Sequence, residues 1–214
     1  MRDFCDIEKN EKHREIVEIT EKLFREIGFR KVTIADIAHE LAVSPANIYR
    51  IFSAKGEIND EVCRRLFGEV ETAADNASQS SRSASQSLRN LIISIDDLNG
   101  WRFQSSPKLN ELFCTAFDEC WPIVREHDDR IDDILSRIIS RGVDDGAFQV
   151  PDANLAAILV RTTCLRFFHP RMMMEYWRDP EPTVDQIIDF CLTALGAEQN
   201  EAAPFNTRQS SSAL

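Results

Sequence analysis

Apolar residues recur along the chain at intervals of three and four, the spacing of an amphipathic helix. One such face consists of Ile16, Ile19, Leu23 and Ile27. Gly28 follows that face, at the position where glycine ends helices. The same steps recur in segments 88–95, 131–139 and 184–195. No stretch of useful length alternates with the period of a strand. The sequence therefore predicts an all-α fold.

The breaks between these helices are marked by composition and by proline. Residues 72–87 are rich in Ser, Ala and Gln and poor in apolar side chains, which predicts a linker or a loosely held helix end. Pro107, Pro122 and Pro151 each suit the first turn of a helix, because proline has no N–H to lose there. Residues 178–183 predict a loop before the final helix.

Two short helical patterns separated by a tight turn lie within residues 32–58. Thr33 stands where an N-cap belongs, and Asp36 follows three residues later, the spacing of a capping box. Ser44 can cap the second helix, and Pro45 suits its first position. Two short helices joined by about three to four residues form a helix-turn-helix.

The second helix of such a pair can present side chains to base pairs. A helix fits the major groove of DNA, and residues near its N-terminus meet the base edges. The short side chains of Ser44 and Ala46 allow the backbone to approach closely. Asn47 can donate to and accept from one base edge, and Arg50 can pair with guanine or with phosphate. Arg50 can equally be an ordinary solvated charge.

Three further residues are candidates for phosphate contacts. The hydroxyls of Thr33 and Tyr49 can donate to phosphates on either side of the groove. Lys55 adds a cation at the start of the next helix, whose N-terminus already favours anions. Tyr49 can instead serve as half-buried packing, and Thr33 only as a helix cap.

These residues resemble the N-terminal signature of the TetR family of helix-turn-helix regulators. The matching segments are TIADIA at 33–38, Val43-Ser44, IYRIF at 48–52 and Lys55. The resemblance runs from Ile16 to about Val62, and beyond it only the helical layout is similar. Ala42 departs from the family, which often has glycine in this turn, so the departure costs strain if the site needs a positive φ.

The resemblance implies a fold, a partner and a mode of action. Members have a three-helix head on a larger helical body, bind palindromic operators as dimers and release them when a small molecule enters the body. The family's DNA contacts would fall on the seven residues named above. We therefore expect a DNA-binding head at 8–55, a body for effector binding and dimerisation at 56–197, and a disordered tail at 198–214.

Net charge changes this picture only in detail. The 214 residues carry a formal charge of −11. From Glu71 onward there are 13 Lys and Arg against 22 Asp and Glu, whereas residues 28–56 contain four against two. The acidic residues thus lie mostly in the body, and the locally basic stretch contains the helix-turn-helix. Acidity elsewhere weakens non-specific attraction to phosphate without excluding DNA.

The remaining composition favours a cytoplasmic, non-enzymatic protein. No apolar run approaches the roughly 20 residues of a membrane span, and the charged start lacks the apolar stretch of a signal peptide. Six cysteines without a CxxC pair predict small packed residues rather than disulfides, although a redox switch stays open. GxGxxG, P-loop, HExxH and GxSxG motifs are absent from the sequence, so we expect neither catalysis nor a cofactor. The stretch His127-Asp128-Asp129 could ligate a metal, but neighbouring residues on a helix point apart and a solvated face is favoured.

Aromatic residues of the body are candidates for an effector pocket: Trp101, Phe103, Phe113, Phe117, Trp121, Phe167 and Phe168. As a set they favour a roomy cavity for a mostly apolar small molecule. Each one alone is more typical of a hydrophobic core. An anionic effector would need Arg102, Arg161 or Arg166, for which a place on the surface or in the dimer interface is the alternative.

Assembly is predicted from the last two helical segments. Residues 155–169 are apolar around most of the helix, which requires burial on more than one side. The candidate dimer residues are Leu155, Leu159, Thr162, Arg166, Ile188, Cys191 and Leu195. The alternative is that both helices complete a monomeric core. The sequence as a whole favours a dimeric repressor; a helical adaptor whose head contacts protein partners is the competing hypothesis.

Overall fold

The computed structural model describes residues 2–174 and 182–197, with side chains from residue 10 onward. The described helices are α1 (Arg2–Glu26), α2 (Ile34–Glu40), α3 (Pro45–Tyr49), α4 (Lys55–Gln79), α5 (Ala84–Ser105), α6 (Pro107–Asp118), α7 (Pro122–Asp144), α8 (Ala153–Thr163), α9 (Leu165–Phe168), α10 (Pro170–Met174) and α11 (Val184–Ala194). These residues form no strand. The predicted all-α fold is confirmed.

Helices α1, α2 and α3 form the predicted three-helix head. Gly28, with φ of 100°, ends α1 and turns the chain toward α2. Phe24, Ile37 and Ile48 each come from one of the three helices, and each is at most 1% exposed. Burial of one large apolar side chain from every helix stabilises so small a unit, because each contributes about 1.5–3 kcal/mol.

The long helix α4 belongs to the head and to the body. The hydrophobic cluster of the head extends along α4 as far as Phe67 and includes Phe113 of α6. A second cluster begins on α4 at Val70 and is shared with α5, α7, α8 and α11. The two cores therefore lie end to end along one helix, and α6 packs on the core of the head. The division at 55/56 stays a prediction.

The body is a bundle in which α5 and α7 pack against α4, and α8 and α11 cover them. The turn after α7 requires glycine at one position, because a Cβ on Gly142 would lie 2.2 Å from the ring of Phe148. Phe148 folds back over α7, is 2% exposed and donates its N–H to the Gly142 carbonyl at 2.9 Å. Among the described helices, none has the length and apolarity to cross a membrane.

Some predicted breaks differ in the structure. Segment 72–87 is mostly helical, since α4 continues to Gln79 and α5 begins at Ala84. Small buried side chains such as Ala74 and Ser78 allow close packing there, which explains a helix without large apolar residues. Pro107 and Pro122 begin helices as predicted.

Two other boundaries are corrected. Pro151 does not begin a helix, because Asp152 is the N-cap of α8 and accepts from the N–H groups of Asn154 and Leu155. The apolar segment 155–169 is two helices, since α8 ends at Thr163 and α9 follows Cys164. The predicted tail 198–214 and most of the predicted loop at 178–183 lie outside the described residues.

The cysteines are mainly packing residues. Cys63, Cys164 and Cys191 are buried free thiols, Cys114 is half-buried and Cys120 is exposed. Burial raises the pKa of the Cys63 thiol to about 12. A thiol with so high a pKa is unreactive at neutral pH, because the thiolate is the nucleophile.

Candidate nucleic-acid interface and body cleft

The first helix of the helix-turn-helix is fixed by a reciprocal cap. The Asp36 N–H donates to Thr33 Oγ1 at 3.2 Å, and the Thr33 N–H donates to Asp36 Oδ2 at 2.8 Å. The Thr33 hydroxyl also donates to Asp36 Oδ2, at 2.7 Å. These hydrogen bonds lower the pKa of Asp36, the side-chain bond from Thr33 having the largest effect. The capping box is confirmed, and the hydroxyl proton of Thr33 is already used, so a phosphate contact by this residue stays a prediction.

The turn between α2 and α3 is a Schellman motif with alanine at the left-handed position. Ala42 has φ of 53°. Its N–H donates to the His39 carbonyl at 3.0 Å, and the Val43 N–H donates to the Ala38 carbonyl at 2.9 Å. Both bonds satisfy carbonyls at the end of α2. The strain expected for a non-glycine residue in this turn is therefore present.

Helix α3 is buried on one side only. Ile48 is 1% exposed, whereas Tyr49 is 54% exposed and Ala46, Asn47 and Arg50 are also exposed. The Asn47 amide and the Arg50 guanidinium form no hydrogen bond or ion pair with other described residues. Their polar atoms are thus available to a partner on the outer side of the head.

Ser44 is the N-cap of α3 by backbone position, but its hydroxyl accepts no capping hydrogen bond. The predicted side-chain cap is therefore wrong, and the hydroxyl remains exposed beside α3.

Lys55 begins α4 and donates from Nζ to the Phe29 carbonyl at 2.6 Å. Burial lowers the pKa of this ammonium, against the opposing effect of Asp36. One donor of Lys55 is thus used inside the head, and its phosphate contact stays a prediction.

Most of the aromatic residues proposed for an effector pocket lie elsewhere. Trp101 is 65% exposed, so its assignment to a pocket is wrong. Phe103 and Phe113 are buried in the cluster shared with the head, with ring centroids 5.6 Å apart. Trp121 precedes α7 and donates from Nε1 to Glu119, and Phe167 is half-buried outside the cleft described next. Each of these aromatic side chains lies where the amphipathic pattern of its own helix places it, whether or not it could contact a ligand.

Phe117 and Phe168 do line a common space. A narrow cleft, partly open to solvent and with free space of about 20 Å³, lies between α5, α6, α7, α8 and α9. Its apolar wall consists of Ile95, Phe117, Ile131, Leu165 and Phe168. This space is enough for about one water molecule, so a larger ligand requires the surrounding helices to move apart.

The remaining lining of the cleft is polar, and sequence reasoning missed it. It consists of Asn99, His127, Asp128, Arg161 and His169. Asn99 follows Ile95 by four residues and lies on the same inner face of α5. A polar residue at such an inward position is the sequence signal that could have indicated a polar lining. The solvated face predicted for His127 and Asp128 is wrong, because both residues are half-buried and line this cleft. Within the described part of the chain, no three His, Cys, Asp or Glu side chains form a metal-binding group.

Charges around the cleft are already paired. Arg161 contacts Asp128 at 3.1 Å and Asp132 at 2.7 Å. Burial raises the pKa of Asp128, against the opposing effect of Arg161. Outside the cleft, Arg102 is 1% exposed and donates from Nη2 to Glu69 at 2.7 Å. The structure thus places two of the three candidate arginines in internal ion pairs, and Arg166 is half-buried where its charge acts on Asp96.

Six of the seven residues proposed for dimerisation divide into two groups, and the seventh is the half-buried Arg166. Leu155 and Leu159 are 54% and 58% exposed, and Thr162 lies on the same exposed face of α8. In contrast, the apolar residues of α11 proposed for the interface are at most 3% exposed inside the same chain: Ile188, Cys191 and Leu195. Their assignment to a dimer surface is wrong because that stripe of α11 packs on α5 and α8. The exposed aromatic residue of α11 is Phe190, 62% exposed, which sequence reasoning missed.

A helix-turn-helix with an exposed second helix, on a larger helical body, is the architecture of a class of DNA-binding regulators. Two family models match the chain. Residues 16–62 match "Bacterial regulatory proteins, tetR family", and residues 84–187 match "Tetracyclin repressor-like, C-terminal domain". The chain belongs to the TetR family of transcriptional regulators.

Solved structures of regulators share the fold. A TetR/AcrR-family regulator from Thermobifida fusca YX-ER1 is 17% identical, with a TM-score of 0.62 over 86% of this chain and 96% of that one. AibR in complex with isovaleryl coenzyme A and operator DNA is 16% identical, with a TM-score of 0.54 over 86% and 97%. RolR in complex with resorcinol is 14% identical, with a TM-score of 0.60 over 90% and 91%. No match was found among curated protein sequences. At these identities the similarity shows the fold alone.

Proposed function

We propose that this regulator is a dimeric repressor, which binds a palindromic operator through α3 and releases it when a small molecule enters the body cleft. The observation that carries the DNA-binding part is the outer side of α3. Asn47, Tyr49 and Arg50 are exposed there, while Ile48 holds the helix on the head. One recognition helix reads only a few base pairs, so a specific site requires two heads about 34–36 Å apart, or a multiple of that distance.

The exposed apolar face of α8 supports the dimer. Leu155, Ile158 and Leu159 are between 44% and 58% exposed and follow one another at helical spacing. An apolar face of this kind is typical of a subunit interface. Two copies joined by a twofold axis would bury the same face twice and hold the heads at a fixed spacing.

Release by a small molecule rests on the cleft and on its neighbour α6. Phe117 of α6 lines the cleft, and the same helix contacts the head. Arg30 of the head pairs with Glu111 at 2.9 Å and donates to Thr115 at 3.2 Å, both on α6. A ligand that favours a different position of α6 would therefore favour a different position of the head. AibR and RolR, whose structures contain isovaleryl coenzyme A and resorcinol, support a small molecule as effector.

Selection of bound fragments from random double-stranded DNA by the purified full-length protein tests the proposal. We expect a palindromic consensus, to which the protein binds with strong salt dependence. Asn47→Ala should then weaken binding by about 1–3 kcal/mol at one base position of each half-site. Asn76→Ala, an exposed amide on α4 of the body, is the matched control and should change nothing. Enrichment of no sequence, with protein partners retained instead, would favour the adaptor hypothesis.

A further inference from the structure

Arg102 is a buried cation with unpaired donors. Its side chain is 1% exposed, and Nη2 donates to Glu69 Oε2 at 2.7 Å. Nε and Nη1 are buried and have no hydrogen-bond partner among the described residues. Burial lowers the pKa of the guanidinium, against the opposing effect of Glu69, but an arginine stays charged at neutral pH. Unpaired N–H groups on a buried charge reduce stability, so this arrangement satisfies Arg102 only in part.

A buried carboxylate oxygen without a hydrogen bond lies on α1. Glu21 is 9% exposed, and its Oε1 accepts from Arg25 Nη2 at 2.7 Å. Its Oε2 lies 3.2 Å from Arg65 Nε, but it accepts no hydrogen bond from the described part of the chain. Because both oxygens of an ionised carboxylate are acceptors, one acceptor of Glu21 is left open inside the protein.

A contact between α1 and the end of α5 brings these unpaired groups to one junction. Arg25 Nη1 donates to Ser106 Oγ at 2.9 Å, and Ser106 is the residue that follows α5. Glu21 lies one turn before Arg25, and Arg102 lies one turn before Ser106. Glu21 is also close enough for its charge to act on Arg102. An unsatisfied donor and an unsatisfied acceptor are thus present on two adjoining helices.

The present partner of Arg102 lies between the two cores. On α4, Glu69 follows the hydrophobic cluster of the head and precedes that of the body. Arg65, one turn earlier, lies 3.2 Å from Glu21 and 4.0 Å from Glu69, so the two carboxylates have a cation in common. A small shift of α1 relative to α5 would bring Arg102 to Glu21, and Arg65 would remain beside Glu69 as its counter-charge.

We propose that Arg102 has two alternative carboxylate partners, Glu69 in the structure and Glu21 in a second position of α1, and that operator DNA selects between them. Because α1 belongs to the head and most of α5 to the body, each partner corresponds to a different position of the head. Exchange of the partner therefore changes operator affinity. This inference rests on the DNA binding proposed above and identifies side chains that regulate it. Arg102 is a positioning residue, since it is buried away from the exposed side of α3.

Double-mutant cycles on the full-length protein test the exchange. Arg102→Met keeps the apolar stem and removes the charge, and Glu21→Gln keeps the shape and removes the charge. We expect the effect of the double substitution on operator affinity to differ at least fivefold from the product of the single effects. A difference in either direction supports the proposal, and its direction identifies the partner that the operator favours. Effects that simply multiply would overturn it.

Glu15→Gln is the matched control for the cycle. Glu15 is an exposed residue of the same helix and forms no ion pair with other described residues. Its effect on operator affinity should multiply with that of Arg102→Met. The same fivefold departure for Glu15 would show that Arg102→Met disturbs the head as a whole, and the assignment to Glu21 would be refuted.

Arginine side-chain NMR follows the exchange in the wild type and keeps the test open if Arg102→Met does not fold. The Nε–H signal of Arg102, assigned by its loss in Arg102→Lys, should shift when operator DNA is added, because its hydrogen bonding changes with the partner. Glu21→Gln should abolish this shift. The control is the Nε–H signal of Arg89, which pairs with Asp185 at 2.9 Å toward the other end of α5 and should not move. A residue with only a structural role would leave its own signal unchanged on DNA binding, and this result would overturn the proposal.

Operator binding by the wild type separates this inference from the proposed function. A wild type that binds no DNA would contradict the proposed function. A wild type that binds its operator, with multiplying effects in the Arg102 and Glu21 cycle and an unchanged Arg102 signal, would contradict only the exchange of partners.

Discussion

The ammonium of Lys55 lies 2.6 Å from the carbonyl oxygen of Phe29, and this hydrogen bond joins the start of α4 to the turn that follows α1. The same ammonium lies 6.0 Å from the centre of the Phe24 ring. Lys55 therefore has a structural role within the head in addition to the phosphate contact that its position at a helix N-terminus predicts.

Lys55→Met should separate these roles by keeping the apolar stem and removing the charge. We expect the free energy of unfolding to fall by about 1 kcal/mol, since a partly buried hydrogen bond from a charged group is lost. We also expect the salt slope of DNA binding to decrease by about one unit. Lys31→Met is the matched control, because Lys31 is exposed in the same head and forms no pair with other described residues. If Lys31→Met lowers the slope and Lys55→Met does not, the phosphate contact belongs to Lys31.

Ala42→Gly should stabilise the head. With φ of 53°, Ala42 occupies a backbone region where a Cβ costs energy and glycine does not. We expect a gain of about 1 kcal/mol in denaturant unfolding. Gly28→Ala provides the opposite case, since Gly28 has φ of 100° and no atom within 4 Å of the added Cβ. It should therefore lose about 1–2 kcal/mol through backbone strain alone. Equal effects of the two substitutions would contradict the turn geometry.

Low pH should remove the stabilisation that the ionised Asp36 carboxylate gives to the cap of α2. Because hydrogen bonds from Thr33 lower the pKa of Asp36 below its ordinary value of 3.8, the ionised carboxylate stabilises the fold. This stabilisation is fully present above the unfolded pKa and is lost as the pH falls through the lower, folded pKa. We expect Asp36→Asn to melt below the wild type at pH 6, with the difference shrinking toward pH 3. Asp133→Asn, at an exposed position of α7 that forms no ion pair with other described residues, should show no comparable change. A difference that is constant with pH would rule out the carboxylate as its source.

The helix-turn-helix could be predicted from sequence because its determinants are local. Thr33, Asp36 and Pro45 act within one turn of their own helices, so their spacing alone fixes where the helices begin. The cleft could not be predicted in the same way. Asn99, His127 and Arg161 come from three different helices, and their chemistry depends on which side chains face one another after folding. Sequence showed that α11 has one apolar stripe, but not whether that stripe meets the chain's own core or a partner.

The same distinction explains why three of the residues predicted for the dimer interface lie inside the chain's own core. An apolar helical face is equally suited to a core and to a subunit contact, because both bury it from water. The inner face of α11 packs on α5 and α8, whereas the outer face of α8 remains uncovered in the single chain. The apolar face that remains exposed to solvent can be identified only once the chain is folded.

Leu159→Arg should convert the protein from a dimer to a monomer. Leu159 is 58% exposed at the centre of an apolar face formed with Leu155 and Ile158, and a charge there would be buried without a partner in a symmetric interface. Light scattering at micromolar concentration should show a dimer for the wild type and a monomer for the variant. Loss of the second head should weaken operator binding about 10²–10⁴-fold, since the two half-sites are no longer bound together. Val143→Arg is the control, because Val143 is an apolar residue of α7 that is 37% exposed; it should leave both the dimer and operator binding intact. A monomeric wild type that still binds its operator specifically would contradict the dimer, and a dimeric Leu159→Arg variant would place the interface on another face.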